Sequence, residues 1–271
     1  MHLKKYRGQH LLPDKNMLAK IVNSANIKPD DNIIEIGPGT GLLTEILAQK
    51  AGKVIAFEID RDFENNLRLI SEKHQNLEVR FIDFLKWDIA EFMEGEAGKW
   101  RVMGNIPYNI TSPIIEKLIE KGRENITDVH LLIQKEVAQR IVSPPGVKEY
   151  GRISVFVQFF ADVKILFNIP PSVFIPPPKV DSSLISIKFK DLQEKYRGRD
   201  FQKTFFTIVR AAFEQRRKQL QKALRGSIPG FDSERTKEIL EGLGMEPKRR
   251  GETLSVDEYI EMTEYIIKTR K

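Results

Sequence analysis

Over the first two thirds of the chain, short β-branched runs alternate with longer amphipathic stretches, as in a parallel sheet whose strands are joined by crossover helices. Strands are expected at residues 32–36, 53–59, 77–82, 101–104, 128–134, 154–161 and 183–189, with helices near 42–50, 61–73 and 113–121. Ser112 offers a cap for the last of these helices, Pro113 suits a first turn and Gly122 an end. No helical stretch separates the last two strands; the proline-rich residues 168–179 join them instead. An antiparallel final hairpin on an otherwise parallel seven-stranded α/β sheet follows. Beyond Lys190 only helical periods remain, broken at 226–230 and 242–251. The expected organisation is therefore a sheet domain over 1–190 and a small all-helical domain over 191–271.

Composition removes several kinds of chemistry. With no cysteine, disulfides, thiolate metal sites and cysteine nucleophiles are excluded. The histidines His2, His10, His74 and His130 lie too far apart for a helical metal motif, so no metal is expected. No apolar run is long enough to span a bilayer, and the opening nine residues are basic and polar, unlike a secretion signal. Cytoplasmic residence without a membrane partner is expected, as a monomer. The net charge of +6 suits a polyanionic partner, and residues 191–271 hold 18 Lys and Arg against 14 Asp and Glu. The positive excess is densest there.

Directly after the first strand stands Glu35-Ile-Gly37-Pro-Gly39-Thr-Gly41. Glycines let a backbone turn tightly and approach a ligand that a β-carbon would push away. A dinucleotide fingerprint, G-x-G-x-x-G, requires a small residue where Leu42 stands. The alternate spacing G-x-G-x-G resembles the loop of class I methyltransferases, which bind S-adenosyl-L-methionine. Glu58, at the end of the second strand, is placed to accept both ribose hydroxyls of such a ligand. After the third strand, Asp83 offers an acceptor for an adenine amino group and Phe84 an apolar face for its ring. Glu35 is expected to support the loop. A ligand-free turn uses glycines too, and the convergence of three strand ends is what favours a cofactor.

Asn105-Ile106-Pro107-Tyr108 follows the fourth strand and resembles the [Asp/Asn/Ser]-x-Pro-[Tyr/Phe] signature of enzymes that methylate amino groups of bases. An exocyclic amine shares its lone pair with the ring and is a poor nucleophile until that conjugation weakens. Acceptance of its two N–H bonds by the Asn105 side-chain oxygen and by the carbonyl of Pro107 or its neighbour favours a pyramidal nitrogen, and fixed dipoles stabilise the charge that develops there. Tyr108 can stack on the ring and hold it in line. No general base is needed before transfer, because the amine attacks neutral.

With two more segments, the whole chain resembles the KsgA family of small-subunit rRNA adenine N6,N6-dimethyltransferases. These are Val173-Phe-Ile-Pro-Pro-Pro-Lys-Val-Asp-Ser182 and Ala212-Phe-Glu-Gln-Arg-Arg-Lys218. Near the start, Gly8-Gln-His-Leu-Leu12 is similar to the family segment that closes over the methionine end of the cofactor, which implies cofactor contacts for Gln9, His10 and Leu12. Leu11 and Ile106 depart from the commoner Phe and Leu but remain apolar. The resemblance spans roughly residues 3–265. It implies dimethylation of two adjacent adenosines near the 3′ end of small-subunit rRNA, late in subunit assembly, with Phe174 facing the target ring opposite Tyr108.

Two cationic clusters, Arg216-Arg217-Lys218 and Lys248-Arg249-Arg250, are candidates for RNA phosphates. RNA helices hide their base edges, so shape and an extrudable adenine are the expected determinants. Two other readings compete: a large-subunit rRNA adenine methylase of the antibiotic-resistance type, and an RNA-binding assembly factor that has lost catalysis.

Overall fold

A computed structural model of the chain describes residues 10–96, 98–227 and 232–269. Its strands are β1 (Asn32–Ile36), β2 (Lys53–Phe57), β3 (Leu77–Arg80), β4 (Trp100–Asn105), β5 (Ile126–Gln134), β6 (Ala161–Ile169) and β7 (Ser182–Phe189). Helices are α1 (Lys15–Ala25), α2 (Leu42–Lys50), α3 (Glu64–Ser71), α4 (Ile89–Glu94), α5 (Thr111–Lys117), α6 (Lys135–Val142), α7 (Arg152–Phe160), α8 (Glu194–Arg197), α9 (Arg199–Glu214), α10 (Leu220–Ala223), α11 (Ser233–Gly242) and α12 (Val256–Thr269). The strands form one seven-stranded sheet in the order β3-β2-β1-β4-β5-β7-β6. β1 through β5 pair in parallel, and β7 runs antiparallel to β5. This is the mostly parallel sheet with a reversed final hairpin that the sequence pattern predicts, and it is the class I methyltransferase architecture.

Two compact units divide the chain. One holds the described residues up to Ala138 together with Asp162–Phe189; the other holds Gln139–Ala161 together with the described residues from Lys190 onward. The boundary thus passes through the chain more than once. Of residues 154–161, expected as the sixth strand, all but Ala161 fold as part of α7 in the second unit. A short apolar run has no periodicity that separates a strand from a helix buried on most faces. Here Phe159 packs on Phe205 with ring centroids 4.4 Å apart, and Phe156 on Phe206 at 5.2 Å. The real sixth strand, β6, begins where that run ends. Its alternation of exposed Asp162 and Lys164 with half-buried neighbours suits its place at the sheet edge.

Within the first unit, α1 brings Leu18, Ile21, Val22 and Ala25 onto an apolar cluster with Ile33, Met103, Leu132 and Leu184. Asp14 caps its start by accepting from the Met17 amide at 3.0 Å. Arg101 holds its end: the guanidinium donates to the Ala25 carbonyl at 2.6 Å while pairing with Asp31 and Asp128. α5 starts one residue before the expected cap, at Thr111, because a 3-10 turn over Tyr108–Ile110 leads straight into it.

Candidate active site

The carboxyl ends of β1, β2 and β4 and the turn after β3 surround a cavity of about 260 Å³. Parallel strands of an open α/β sheet present their ends in this way, leaving a crevice above them. Gly37, Gly39, Glu58, Asp83, Phe84, Asn105, Pro107, Tyr108, His10 and Leu12 all line it. Gln9 lies outside the described residues.

The glycine loop is held tightly. Gly37 adopts φ +73°, and a β-carbon there would stand 3.3 Å from the Asn105 carbonyl oxygen, so a side chain would push the loop off β4. Gly41 has a different purpose: at φ +84° it starts α2, and a β-carbon would meet Ile70 at 2.3 Å. It packs against α3 and does not line the cavity. Glu58 is 4% exposed; one carboxylate oxygen accepts from the Gly39 amide at 3.0 Å, the other from the amides of Ile59 and Asp60. Burial raises its pKa, opposed by these bonds. The acid therefore ties the glycine loop to the end of β2, and the Gly39-bonded oxygen keeps a further lone pair for a ligand.

Glu35 is the residue whose part in the site sequence reasoning understated. It is 1% exposed, lines the cavity, and has no hydrogen-bond partner on either oxygen among the described residues. Burial pushes it up to about 8, with Thr44 opposing and the charge of Glu58 adding. An unpaired buried carboxyl is costly, and a cation in the cavity would relieve it. Asp83 accepts from the Leu85 amide at 2.9 Å, which folds the turn and leaves its other oxygen free among the described residues. Phe84 meets Phe57 edge-on at 5.4 Å. Lys117, on α5, donates to the carbonyls of Leu85, at 2.9 Å, and Trp87. Burial lowers its pKa, opposed by Asp88 and Asp83. The cavity thus offers a glycine loop, a buried carboxyl that a cationic group would ionise, and an acid and an aromatic ring at a neighbouring strand end, a set that fits S-adenosylmethionine.

At the other end of the cavity stands Asn105, the last residue of β4. Its amide nitrogen donates to the His10 carbonyl at 2.8 Å. A carbonyl only accepts, so this bond fixes the amide orientation and leaves Oδ1 as an acceptor without a partner among the described residues. The Pro107 carbonyl accepts from the Ile110 amide at 3.1 Å, closing the 3-10 turn. Tyr108 is half-buried, its phenol 2.6 Å from the Ser182 hydroxyl; burial raises its pKa, opposed by Ser182. The ring beside Tyr108 is His10, at 5.5 Å between centroids and 29° between planes. His10 Nδ1 donates to the Pro176 carbonyl at 2.7 Å, and Leu11 exchanges two backbone bonds with Ile175.

Phe174 corrects an expectation. Instead of facing the cavity opposite Tyr108, it is 2% exposed and packs into the apolar cluster with Leu12, Leu132 and Leu184. A ring between prolines gains more from that burial than from standing in water.

The cationic clusters divide within the second unit. Arg216 pairs with Glu252 at 2.8 Å and donates to the carbonyls of Lys148 and Tyr150. Arg249 chelates Glu258 and donates to the Thr253 carbonyl. These two, expected among the phosphate contacts, instead cross-link their own unit, where their charge is neutralised. Arg217, Lys218, Lys248 and Arg250 are exposed, with no side-chain partner among the described residues. The Leu220 amide donates to the Arg249 carbonyl at 2.7 Å, which joins the two segments. Among the described residues there is no group of three or more His, Asp or Glu that could hold a metal ion, and no helix long and apolar enough to cross a membrane.

Residues 1–267 match the family model for ribosomal RNA adenine dimethylase. The chain is 42% identical to a ribosomal RNA small subunit methyltransferase A from Caldanaerobacter subterraneus subsp. tengcongensis, over 96% of this chain and 95% of that protein. A protein of the same name from Geobacillus kaustophilus is 40% identical over 96% of this chain and 89% of its own. Among solved structures, a dimethyladenosine transferase from Plasmodium falciparum superposes with TM-score 0.81 at 30% identity, covering 96% and 98% of the two chains. The 23S rRNA methyltransferase ErmE superposes with TM-score 0.72 at 25% identity, covering 95% and 99%.

Proposed function

The chain belongs to the ribosomal RNA adenine dimethylase family, and from that premise we propose that it methylates N6 of two adjacent adenosines near the 3′ end of small-subunit rRNA, giving N6,N6-dimethyladenosine. The observation that carries the reading is the fixed amide of Asn105: its nitrogen is committed to the His10 carbonyl, and its oxygen is left for an amine entering the cavity.

S-adenosylmethionine, when bound, supplies the electrophilic methyl group. The chain's own residues do the rest. Gly37 and Gly39 let the backbone approach the ligand, Glu58 and Asp83 offer acceptors to its ribose and adenine, and Phe84 supports the ring. His10 and Leu12 cover the near wall, while the Glu35 carboxyl would give up its proton and become the counter-charge once a cationic group is bound beside it. Asn105 Oδ1 and the Pro107 carbonyl accept the two amine protons, drawing the lone pair out of conjugation. Tyr108 stacks on the extruded base, offsetting the few kcal/mol that unstacking costs. The amine attacks neutral, and the proton leaves after transfer.

The partner in this reading is small-subunit rRNA or the assembling small subunit, met in the cytoplasm by a monomer. Arg217, Lys218, Lys248 and Arg250 supply phosphate contacts, since they are exposed and have no side-chain partner among the described residues. The likeness to ErmE gives the second reading, methylation of large-subunit rRNA. Labelled cofactor offered with undermethylated small subunits and, separately, with large-subunit RNA decides between them. Label is expected on adenines near the 3′ end of the small-subunit RNA; label confined to large-subunit RNA, or none, overturns the proposal.

A further inference from the structure

The proline-rich segment ending in Ser182 is not explained by the reaction as described, since Phe174 is buried and none of residues 173–182 lines the cavity. Its contacts nevertheless converge on the two groups that face the acceptor. Ser182 has no exposed surface, and among the described residues its hydroxyl meets only the phenol of Tyr108, at 2.6 Å. It opens β7 opposite Gln134 in β5, and its neighbour Asp181 is fixed twice to Lys135, by the backbone at 3.0 Å and by an ion pair at 2.9 Å. Ser182 is therefore an immobile anchor, whereas Tyr108 sits on a single 3-10 turn.

We propose that Ser182 is a positioning residue for the acceptor adenine, pinning the far end of the Tyr108 ring so that the ring already lies where the base will stack. The inference rests on the methyl-transfer reading above. A bond at its para oxygen restrains the first side-chain torsion of a tyrosine, which decides where the ring lies, while the second turns the ring about the axis on which that oxygen sits and is limited here by the His10 ring stacked beside it at 5.5 Å. The same segment also holds the chain start through Ile175 and Pro176, which bond Leu11 and His10, and the His10 carbonyl in turn orients Asn105. One clasp thus aligns both the ring that holds the base and the oxygen that receives its amine. Such alignment acts on the rate of an oriented attack and leaves cofactor affinity alone.

The test is a double-mutant cycle on the full chain with undermethylated small subunits, measuring single-turnover methyl transfer and, by calorimetry, cofactor binding. Ser182→Ala is expected to slow transfer about five- to tenfold, the scale of one lost neutral hydrogen bond, with cofactor affinity unchanged. Tyr108→Phe removes the same bond from the other side, leaving the serine side chain in place but its hydroxyl without that partner, and is expected to lose the same factor. The double variant should be no slower than either. Wild-type rates in Tyr108→Phe, or losses that multiply in the double variant, would overturn the assignment and leave Ser182 a packing residue. A wild-type chain that methylates nothing would instead sink the reaction reading itself.

Discussion

The two ends of the cavity are built in different ways. At the glycine-loop end, each group comes from the close of its own strand and is fixed by near neighbours: Glu58 by the amides of Ile59, Asp60 and Gly39, Asp83 by Leu85. At the amine end, the 3-10 turn is closed locally, but the side chains are held from far along the chain. Asn105 is held by His10, Tyr108 by Ser182, and His10 by Pro176, across 95, 74 and 166 residues. The first kind of site forms whenever the strands form, while the second exists only when the chain start and the proline-rich segment have closed on each other. Substitutions at the two ends should therefore separate cofactor affinity from methyl transfer.

The largest separation is expected for Asn105→Ala. It removes an acceptor aimed at charge that develops only during transfer, so the rate should fall about 100- to 1000-fold while cofactor affinity stays near wild type. Equal losses in both would erase the distinction between the two ends.

Glu35→Gln should act in the opposite sense, on affinity and on its pH dependence. With its carboxyl pushed from 4.5 to about 8 by burial, Glu35 keeps its proton through neutral pH in the folded protein, whereas the unfolded chain has released it. Stability of the ligand-free protein should then decline as pH rises from 4.5 to about 8. A cation beside Glu35 favours the carboxylate, so cofactor binding should release a proton at pH 7 and tighten with rising pH, by at most about tenfold per pH unit. Both trends should flatten in Glu35→Gln. Calorimetry in buffers of different ionisation heat that finds no proton release would contradict the assignment.

The smallest effect is expected for Lys117→Met. Its bonds to the Leu85 and Trp87 carbonyls shape the turn that carries Asp83 and Phe84. Losing them should weaken cofactor binding about fivefold with the transfer step untouched. A change confined to transfer would place Lys117 at the other end of the cavity.

The same contrast explains what the sequence disclosed. β1 and α2 have the limits that hydrophobic patterning predicts, and Gly37, Gly39, Glu58, Asp83, Phe84 and Asn105 were legible because each stands at a recognisable strand end and all line one cavity. The unreadable features needed distant partners. Nothing local marks His10 as the ring beside Tyr108, or Ser182 as the anchor of its phenol. Arg216 and Arg249 read as cations like their neighbours until Glu252 and Glu258 are found against them. Nor does an apolar run such as 154–161 declare itself a helix before its aromatic neighbours are in place.

The central claim is that the Asn105 oxygen receives the target amine because its nitrogen is already committed. The most direct measurement is a structure of the protein with a cofactor analogue and its target adenosine. The account predicts Asn105 Oδ1 at roughly 3 Å from the adenine N6, with the bond to the His10 carbonyl retained. An Asn105 side chain turned away from N6, or one that presents its nitrogen there, would contradict it.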